Sequence, residues 1–136
     1  MPDLGSTQLT YLWASAILGL VYLVVAVVPS VQTRGMPWAM GPRDEAGAAL
    51  GKVAGRLDRA WKNYLETFPI FVAAVLAENA SGHGSGLAPL GAQLYFWGRV
   101  AFLPIYAAGI PVLRTLAWTV AVVGIVLILA ACLPGL

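Results

Sequence analysis

The sequence has little charge and few of the residues used in metal or redox sites. Only 10% of its residues are charged and 60% are hydrophobic, with a mean hydropathy of +0.80. A soluble domain has about a quarter of its residues charged, so this composition excludes an ordinary soluble domain. A single cysteine, Cys132, allows no internal disulfide. The single histidine, His83, lies in a glycine-rich segment without other ligands nearby, so we expect no metal site.

Long uncharged runs take up much of the chain. Residues 8–30 and residues 115–136 carry no charge, and each run is long enough for a membrane-spanning helix of about 20 residues. Segments rich in proline and glycine separate further apolar stretches. We predict an all-α protein, an integral membrane four-helix bundle that forms one domain over residues 1–136. The predicted spans are residues 8–28, 47–79, 87–108 and 113–133.

The basic residues lie on one side of the predicted bundle. Between the first two spans the sequence has Arg34, Arg43, Lys52, Arg56, Arg59 and Lys62. Arg114, between the last two spans, falls on the same side, and the opposite side has no lysine or arginine. The positive-inside rule therefore predicts that both basic segments are cytoplasmic and that both termini lie on the non-cytoplasmic side. With a net charge of only +2, we expect no nucleic-acid partner.

The second span is too short unless it takes polar residues into the membrane. Only residues 67–77 separate Glu66 from Glu78, which is about 16 Å of helix against a hydrocarbon core of about 30 Å. Part of the segment RLDRAWKNYLE, residues 56–66, must therefore reach membrane depth and face protein or water. Helical spacing places Arg59, Asn63 and Glu66 on one face, where they can contact one another.

The third span has a polar stripe of its own. Arg99 and Tyr106 share a helical face, and Arg99 falls mid-span, where an arginine costs about 2.5–3.5 kcal/mol on insertion scales. We predict Glu66 as its acidic partner.

Two hypotheses follow from the residues alone. The polar residues either fix helix register without further function, or line a cationic pocket for a small anion with several carboxylates or phosphates.

Two segments carry a resemblance to a known family. RAWKNYLETFP, residues 59–69, and RVAFLPIYAAGIPVLR, residues 99–114, resemble the second- and third-helix motifs of the MAPEG family. These are the membrane-associated proteins of eicosanoid and glutathione metabolism. The likeness covers essentially the whole chain and is greatest to the bacterial-type branch. Phe102 departs from the pattern, because eukaryotic enzymes of the family carry a hydrogen-bonding tyrosine or histidine there.

The resemblance implies a homotrimer that binds glutathione between neighbouring protomers near the cytoplasmic face. Arg114 matches the arginine that stabilises the glutathione thiolate in conjugating members. The residues expected to bind glutathione are Arg59, Asn63, Glu66, Arg99, Tyr106, Arg34 and Arg56. The tryptophans Trp38, Trp61, Trp97 and Trp118 are expected to be membrane-interface or packing residues.

The expected function is that of a membrane-embedded, glutathione-dependent transferase or peroxidase acting on lipophilic electrophiles. Glutathione would be the co-substrate, with no metal, and the protein would lie in a bacterial inner membrane. The alternative is a non-catalytic membrane scaffold or lipid-binding bundle, whose polar residues serve assembly alone. A thiolate signal on glutathione binding would distinguish the two.

Overall fold

The computed structural model describes residues 6–136, and the secondary-structure elements in this part of the chain are all helices. The helices are α1 (Thr7–Arg34), α2 (Met36–Met40), α3 (Lys52–Ser81), α4 (Leu87–Ala108) and α5 (Pro111–Ala131). Four of them are long and pack as a bundle. The fifth, α2, is a short helix in the connection between α1 and α3.

The connection between α1 and α3 differs from the sequence prediction. The first span was predicted to end at residue 28, before a loop, but α1 continues through Pro29 to Arg34. Pro29 removes one backbone donor inside the helix, a loss that favours a break there, but α1 continues for five more residues. The second helix starts at Lys52 rather than at residue 47, after a segment interrupted by Gly41, Gly47 and Gly51.

Aromatic and small side chains fill the bundle core. Towards one end, the rings of Phe71 and Tyr95 stack with centroids 3.9 Å apart. Towards the other end, Tyr22, Tyr64 and Phe102 form a second buried cluster. Buried glycines and alanines instead line the contact between α4 and α5, which lets the two backbones approach closely.

The outer faces of α1 and α5 are apolar. Valine, leucine and isoleucine side chains on both helices are exposed, among them Leu20, Val24, Val123 and Val126. By length and composition, α1 and α5 are the two described helices that could cross a membrane. Exposed side chains of this kind are suited to lipid rather than to water.

One buried polar contact was not anticipated from the sequence. Glu78, near the end of α3, is only 2% exposed, and its carboxylate accepts a 3.0 Å hydrogen bond from the Gln8 side-chain amide. This bond joins the start of α1 to the end of α3. In the sequence, Glu78 only bounds the uncharged stretch of residues 67–77. Spacing along one helix does not show which residues of another helix pack against it.

Candidate functional site

A cavity of about 500 Å³ opens between α3, α4 and α5. It lies towards the end of the bundle where α3 begins and where α4 turns into α5. Its lining residues are Arg59, Lys62, Asn63, Glu66, Phe102, Tyr106, Arg114, Thr115 and Trp118. We call this cavity the main pocket.

Helical periodicity explains how α3 supplies its share of the main pocket. Arg59, Asn63 and Glu66 recur every three or four residues, so they project from one face. Lys62 is on the same face and pairs with Asp58 one turn earlier, with 2.8 Å between Nζ and the carboxylate oxygen. Because this ion pair is largely exposed, it contributes little to stability.

Tyr106 of α4 contacts one arginine of α3 and one arginine of α5. Its hydroxyl accepts a 3.3 Å hydrogen bond from Nε of Arg59. The Arg114 guanidinium lies over the tyrosine ring, 4.8 Å from its centroid. Phe102, one turn earlier on α4, packs edge-on against the same ring at 5.3 Å. Two cations are thereby held beside one aromatic side chain, an arrangement that cation–π attraction favours.

The main pocket has an excess of positive charge. Its lining includes Arg59, Lys62 and Arg114 but only one carboxylate, that of Glu66. Arg59 and Glu66 are exposed, and Arg114 is half-buried. Guanidinium groups bind carboxylates and phosphates in bidentate fashion, so these side chains suit an anionic ligand. The single carboxylate can at the same time accept a ligand ammonium group.

The sequence of the chain matches a known protein family. A sequence model of the MAPEG family matches residues 11–134. The chain belongs to the MAPEG family. No individual curated protein matches it significantly. Members of this family are membrane helical bundles and include glutathione-dependent transferases and peroxidases. This MAPEG chain is therefore a membrane protein with a helical bundle.

In this MAPEG bundle, Arg99 is buried next to the main pocket but does not line it. Its side chain is fully buried, and Nη1 donates a 2.8 Å hydrogen bond to the side-chain oxygen of Asn63. Its guanidinium lies 4.3 Å from the ring centroid of Phe102 and 5.1 Å from that of Tyr64. Nε and Nη2 have no hydrogen-bond partner among residues 6–136. Arg99 thus contacts the pocket lining through Asn63 and Phe102.

The predicted pairing of Arg99 with Glu66 is wrong. The ion pair of Lys62 with Asp58 is the one found in the described part of the chain, and the Glu66 side chain is exposed. Asn63 instead meets the arginine. Aromatic ring faces surround the rest of the guanidinium and partly replace a carboxylate as its counter-charge.

Two other residues predicted to bind glutathione lie outside the main pocket. Arg34 donates from Nε to the Ala48 carbonyl at 3.1 Å and stacks over Trp38, which holds it in the connection between α1 and α3. Arg56 donates to the Ala107 carbonyl at 3.2 Å, at the turn between α4 and α5. The main pocket therefore contains Arg59, Asn63, Glu66, Tyr106 and Arg114 but not Arg34. Arg56 lies next to it, in a smaller pocket that Arg59, Tyr106 and Arg114 also line.

Three residues of the pocket lining were missed as site residues. Lys62 is spaced three residues from Arg59 and four from Glu66, so helical spacing alone could have found it. Thr115 and Trp118 follow Arg114 within about one turn of α5, and spacing also links them. Trp118 was expected to be a membrane-interface or packing residue, but it lines the main pocket.

Proposed function

We propose that this protein is a glutathione-dependent transferase or peroxidase acting on lipophilic electrophiles. The observation that carries the proposal is the position of Arg114. Its guanidinium lies beside Tyr106 in a pocket that also holds Arg59, Asn63 and Glu66. A cation that lines a pocket with an excess of positive charge is placed to stabilise a bound thiolate.

The groups of glutathione match the charges of the main pocket. Glutathione has two carboxylates, an ammonium group and a thiol. Arg59 and Lys62 would bind carboxylates, and Glu66 would bind the ammonium group. Asn63 would donate from its side-chain amide nitrogen, because its oxygen already accepts from Arg99. Arg114 would then lie at the thiol and favour its ionised form, which is the nucleophile.

The lipophilic substrate would approach along the apolar surface of α5. Trp118 and Phe102 contribute the apolar part of the pocket lining, and Leu116 and Val120 are exposed on the outer face of α5. A hydrophobic molecule in the bilayer can therefore reach Arg114 without crossing water. The thiolate would attack its electrophilic carbon and displace a leaving group as an anion. In a peroxidase it would attack the peroxide oxygen, so that the O–O bond breaks, glutathione is oxidised at sulfur to the sulfenic acid, and the released alkoxide takes a proton to become the alcohol.

The proposed assembly is a homotrimer of protomers that each span the membrane four times. The main pocket is formed by α3, α4 and α5, whereas Arg34 is the last residue of α1. A neighbouring protomer would therefore be needed to bring Arg34 to glutathione. In this proposal the site lies at the cytoplasmic face of a bacterial inner membrane, with both termini on the other side. The clustering of the basic residues supports this orientation, and the resemblance to the bacterial-type branch supports the choice of membrane.

Arg114→Ala should abolish most of the thiolate signal of bound glutathione. In detergent-purified wild-type protein, titration with glutathione should give a saturable difference absorbance at about 240 nm from the thiolate. Without the guanidinium, the thiolate fraction at neutral pH should fall about tenfold. Arg43→Ala is the matched control, because Arg43 stacks over Trp38 away from the pocket and should leave the signal unchanged.

The same titration separates the enzyme from the scaffold alternative. The scaffold hypothesis is favoured by one observation, the buried hydrogen bond from Arg99 to Asn63, which could serve assembly alone. It predicts no thiolate signal in the wild type, and no rise in melting temperature when glutathione is added. That pair of results would overturn the proposed function.

A further inference from the structure

The hydroxyl group of Tyr106 has a proton that is not used within the described part of the chain. Tyr106 is half-buried and lines the main pocket. Its hydroxyl makes one hydrogen bond within residues 6–136, the 3.3 Å bond from Nε of Arg59. A guanidinium cannot accept a hydrogen bond, so the tyrosine oxygen is the acceptor and its own proton stays free. The hydroxyl can therefore donate to a molecule bound in the pocket.

Tyrosines in the core of the bundle use their protons differently. Tyr22 donates to the Arg99 carbonyl, and Tyr64 donates to the Ser15 carbonyl. Both side chains are almost completely buried, where an unused donor would be costly. Tyr106 is partly open to the pocket instead, so its proton is available for chemistry.

Two cations contact Tyr106 at the places where a phenolate holds its charge. Arg59 donates to the oxygen, and the Arg114 guanidinium lies 4.8 Å from the ring centroid. When a tyrosine gives up its proton, the negative charge is shared between the oxygen and the ring. A hydrogen bond to an ionised oxygen is roughly twice as strong as one to a neutral oxygen. Cations that are already in place also stabilise a charge that develops during a reaction. The two arginines therefore favour proton donation by Tyr106.

The proposed peroxidase reaction needs a proton at one particular oxygen. When the glutathione thiolate attacks a hydroperoxide, the O–O bond breaks and an alkoxide leaves. An alkoxide is a stronger base than a phenolate, so proton transfer from a tyrosine to the alkoxide is favourable. An acid that donates as the bond breaks speeds such a step by about 100-fold to 10,000-fold. Displacement of chloride needs no such proton, because chloride is a very weak base.

The other candidate proton donors of the main pocket are already engaged. The Thr115 hydroxyl donates to the Pro111 carbonyl at 3.0 Å, and an aliphatic hydroxyl is a weaker acid than a phenol. Lys62 is paired with Asp58 at 2.8 Å. Phe102, which packs against the Tyr106 ring, has no hydroxyl to donate. Tyr106 is thus the best placed acid in this lining.

Arg114 brings the two parts of the reaction together. In the proposed function its guanidinium stabilises the thiolate, and it also lies against the ring of Tyr106. A thiolate beside Arg114 is therefore close to Tyr106 as well. A hydroperoxide that reaches the sulfur can present its leaving oxygen to the Tyr106 hydroxyl.

We propose that Tyr106 is a catalytic residue that protonates the oxygen leaving from a lipophilic hydroperoxide. The proposal rests on the proposed function and adds a residue to its mechanism. The thiolate sulfur forms a bond to the hydroxyl-bearing oxygen of the peroxide, and the electron pair of the O–O bond stays on the other oxygen. That oxygen takes the Tyr106 proton and leaves as an alcohol, while glutathione becomes its sulfenic acid. The phenolate then regains a proton from water, to which the glutathione thiol had released its own.

Tyr106→Phe should separate two reactions of the same thiolate. With glutathione and cumene hydroperoxide, we expect kcat to fall about 100-fold, because the proton donor is lost. With glutathione and chlorodinitrobenzene, kcat should stay within about threefold of the wild type, because chloride leaves without a proton. Phenylalanine keeps the ring on which Arg114 lies. Both reactions are measured on full-length protein in detergent, by chromatography of the alcohol and by absorbance of the conjugate.

Tyr11→Phe is the matched control for this substitution. Tyr11 packs against Phe96 and does not line the main pocket, so both reactions should be unchanged. If Tyr106 serves only to bind glutathione, Tyr106→Phe instead raises the KM for glutathione and lowers both reactions alike. That result, or equal hydroperoxide kcat in the wild type and Tyr106→Phe, would overturn the proposal.

A second measurement requires no variant, so it decides the matter even if Tyr106→Phe does not fold. In heavy water, the wild-type kcat for the hydroperoxide should fall about twofold relative to that for chlorodinitrobenzene, because a proton moves as the bond breaks only in the first reaction. Equal isotope effects on the two reactions would contradict proton donation.

The wild-type protein also separates this proposal from the proposed function. Protein that turns over neither substrate with glutathione would refute both. Protein that displaces chloride but leaves the hydroperoxide intact would support a glutathione transferase and overturn the role of Tyr106 alone.

Discussion

Replacing Asn63 with leucine should destabilise the protein by about 3 kcal/mol, because it leaves a buried cation without its hydrogen bond. The Asn63 side-chain oxygen is the one acceptor found for the guanidinium of Arg99 among the described residues. Arg99 itself is fully buried, so water cannot replace the lost bond. The measurement is the unfolding free energy in detergent, from titration with a denaturing surfactant.

Variants of the partner residue separate this mechanism from a simple loss of packing. Arg99→Met removes the charge but keeps a long side chain among the aromatic rings, so it should be nearly neutral or stabilising. The double variant Asn63→Leu with Arg99→Met should recover most of the lost stability. Glu66→Leu is the matched control on the same helix face, and its exposed side chain makes no ion pair with Arg99. A loss in Asn63→Leu no larger than in Glu66→Leu would contradict the assignment.

Gly124→Ala should also destabilise the bundle by about 3 kcal/mol, through overpacking between α4 and α5. A Cβ atom at this position would lie 2.8 Å from the backbone nitrogen of Tyr95 and 3.2 Å from Cβ of Leu94. Backbone atoms of a packed helix cannot move away as the end of a flexible side chain can. The two helices would therefore have to separate. In an unobstructed helix, the same substitution would stabilise by about 1 kcal/mol, so the sign of the effect reports the contact.

Gly86→Ala is the control for this prediction. Gly86 precedes α4 with an ordinary φ of −63°, and a Cβ atom there would meet nothing within 4 Å. Its replacement should change the unfolding free energy by less than about 0.5 kcal/mol. Thermal unfolding of both variants, followed by circular dichroism, makes the comparison. A Gly124→Ala protein as stable as the wild type would show that α4 and α5 are not so closely packed.

Much of the fold and part of the site follow from periodicity along the chain. The uncharged runs indicate α1 and α5, and a repeat of three to four residues is enough to place Arg59, Asn63 and Glu66 on one face. The glutathione role of these residues rests on the resemblance, and it stays a prediction. The short helix α2 was missed because glycine and proline at residues 35–42 indicate a turn equally well.

The partners of buried polar groups could not be read from the sequence. For Arg99, electrostatics favours a carboxylate, but the rotation of α3 against α4 brings the amide of Asn63 within reach instead. For Glu78, nothing near it in sequence indicates Gln8, because the two residues come from opposite ends of the first two long helices. Such pairings depend on the relative rotation of packed helices, which a one-dimensional pattern does not contain.

The close contact of α4 with α5 bears on how the chain enters a membrane during synthesis. Of these two helices, α5 is apolar enough to cross by itself, whereas α4 carries the charge of Arg99. A helix with a central arginine is inserted at a cost of about 2.5–3.5 kcal/mol. Only Gly109 and Ile110 separate α4 from α5, and their facing surfaces are made of small residues. In the proposed arrangement of four spans, the two helices would enter the lipid together as a hairpin, in which the apolar α5 offsets the cost of inserting its charged neighbour.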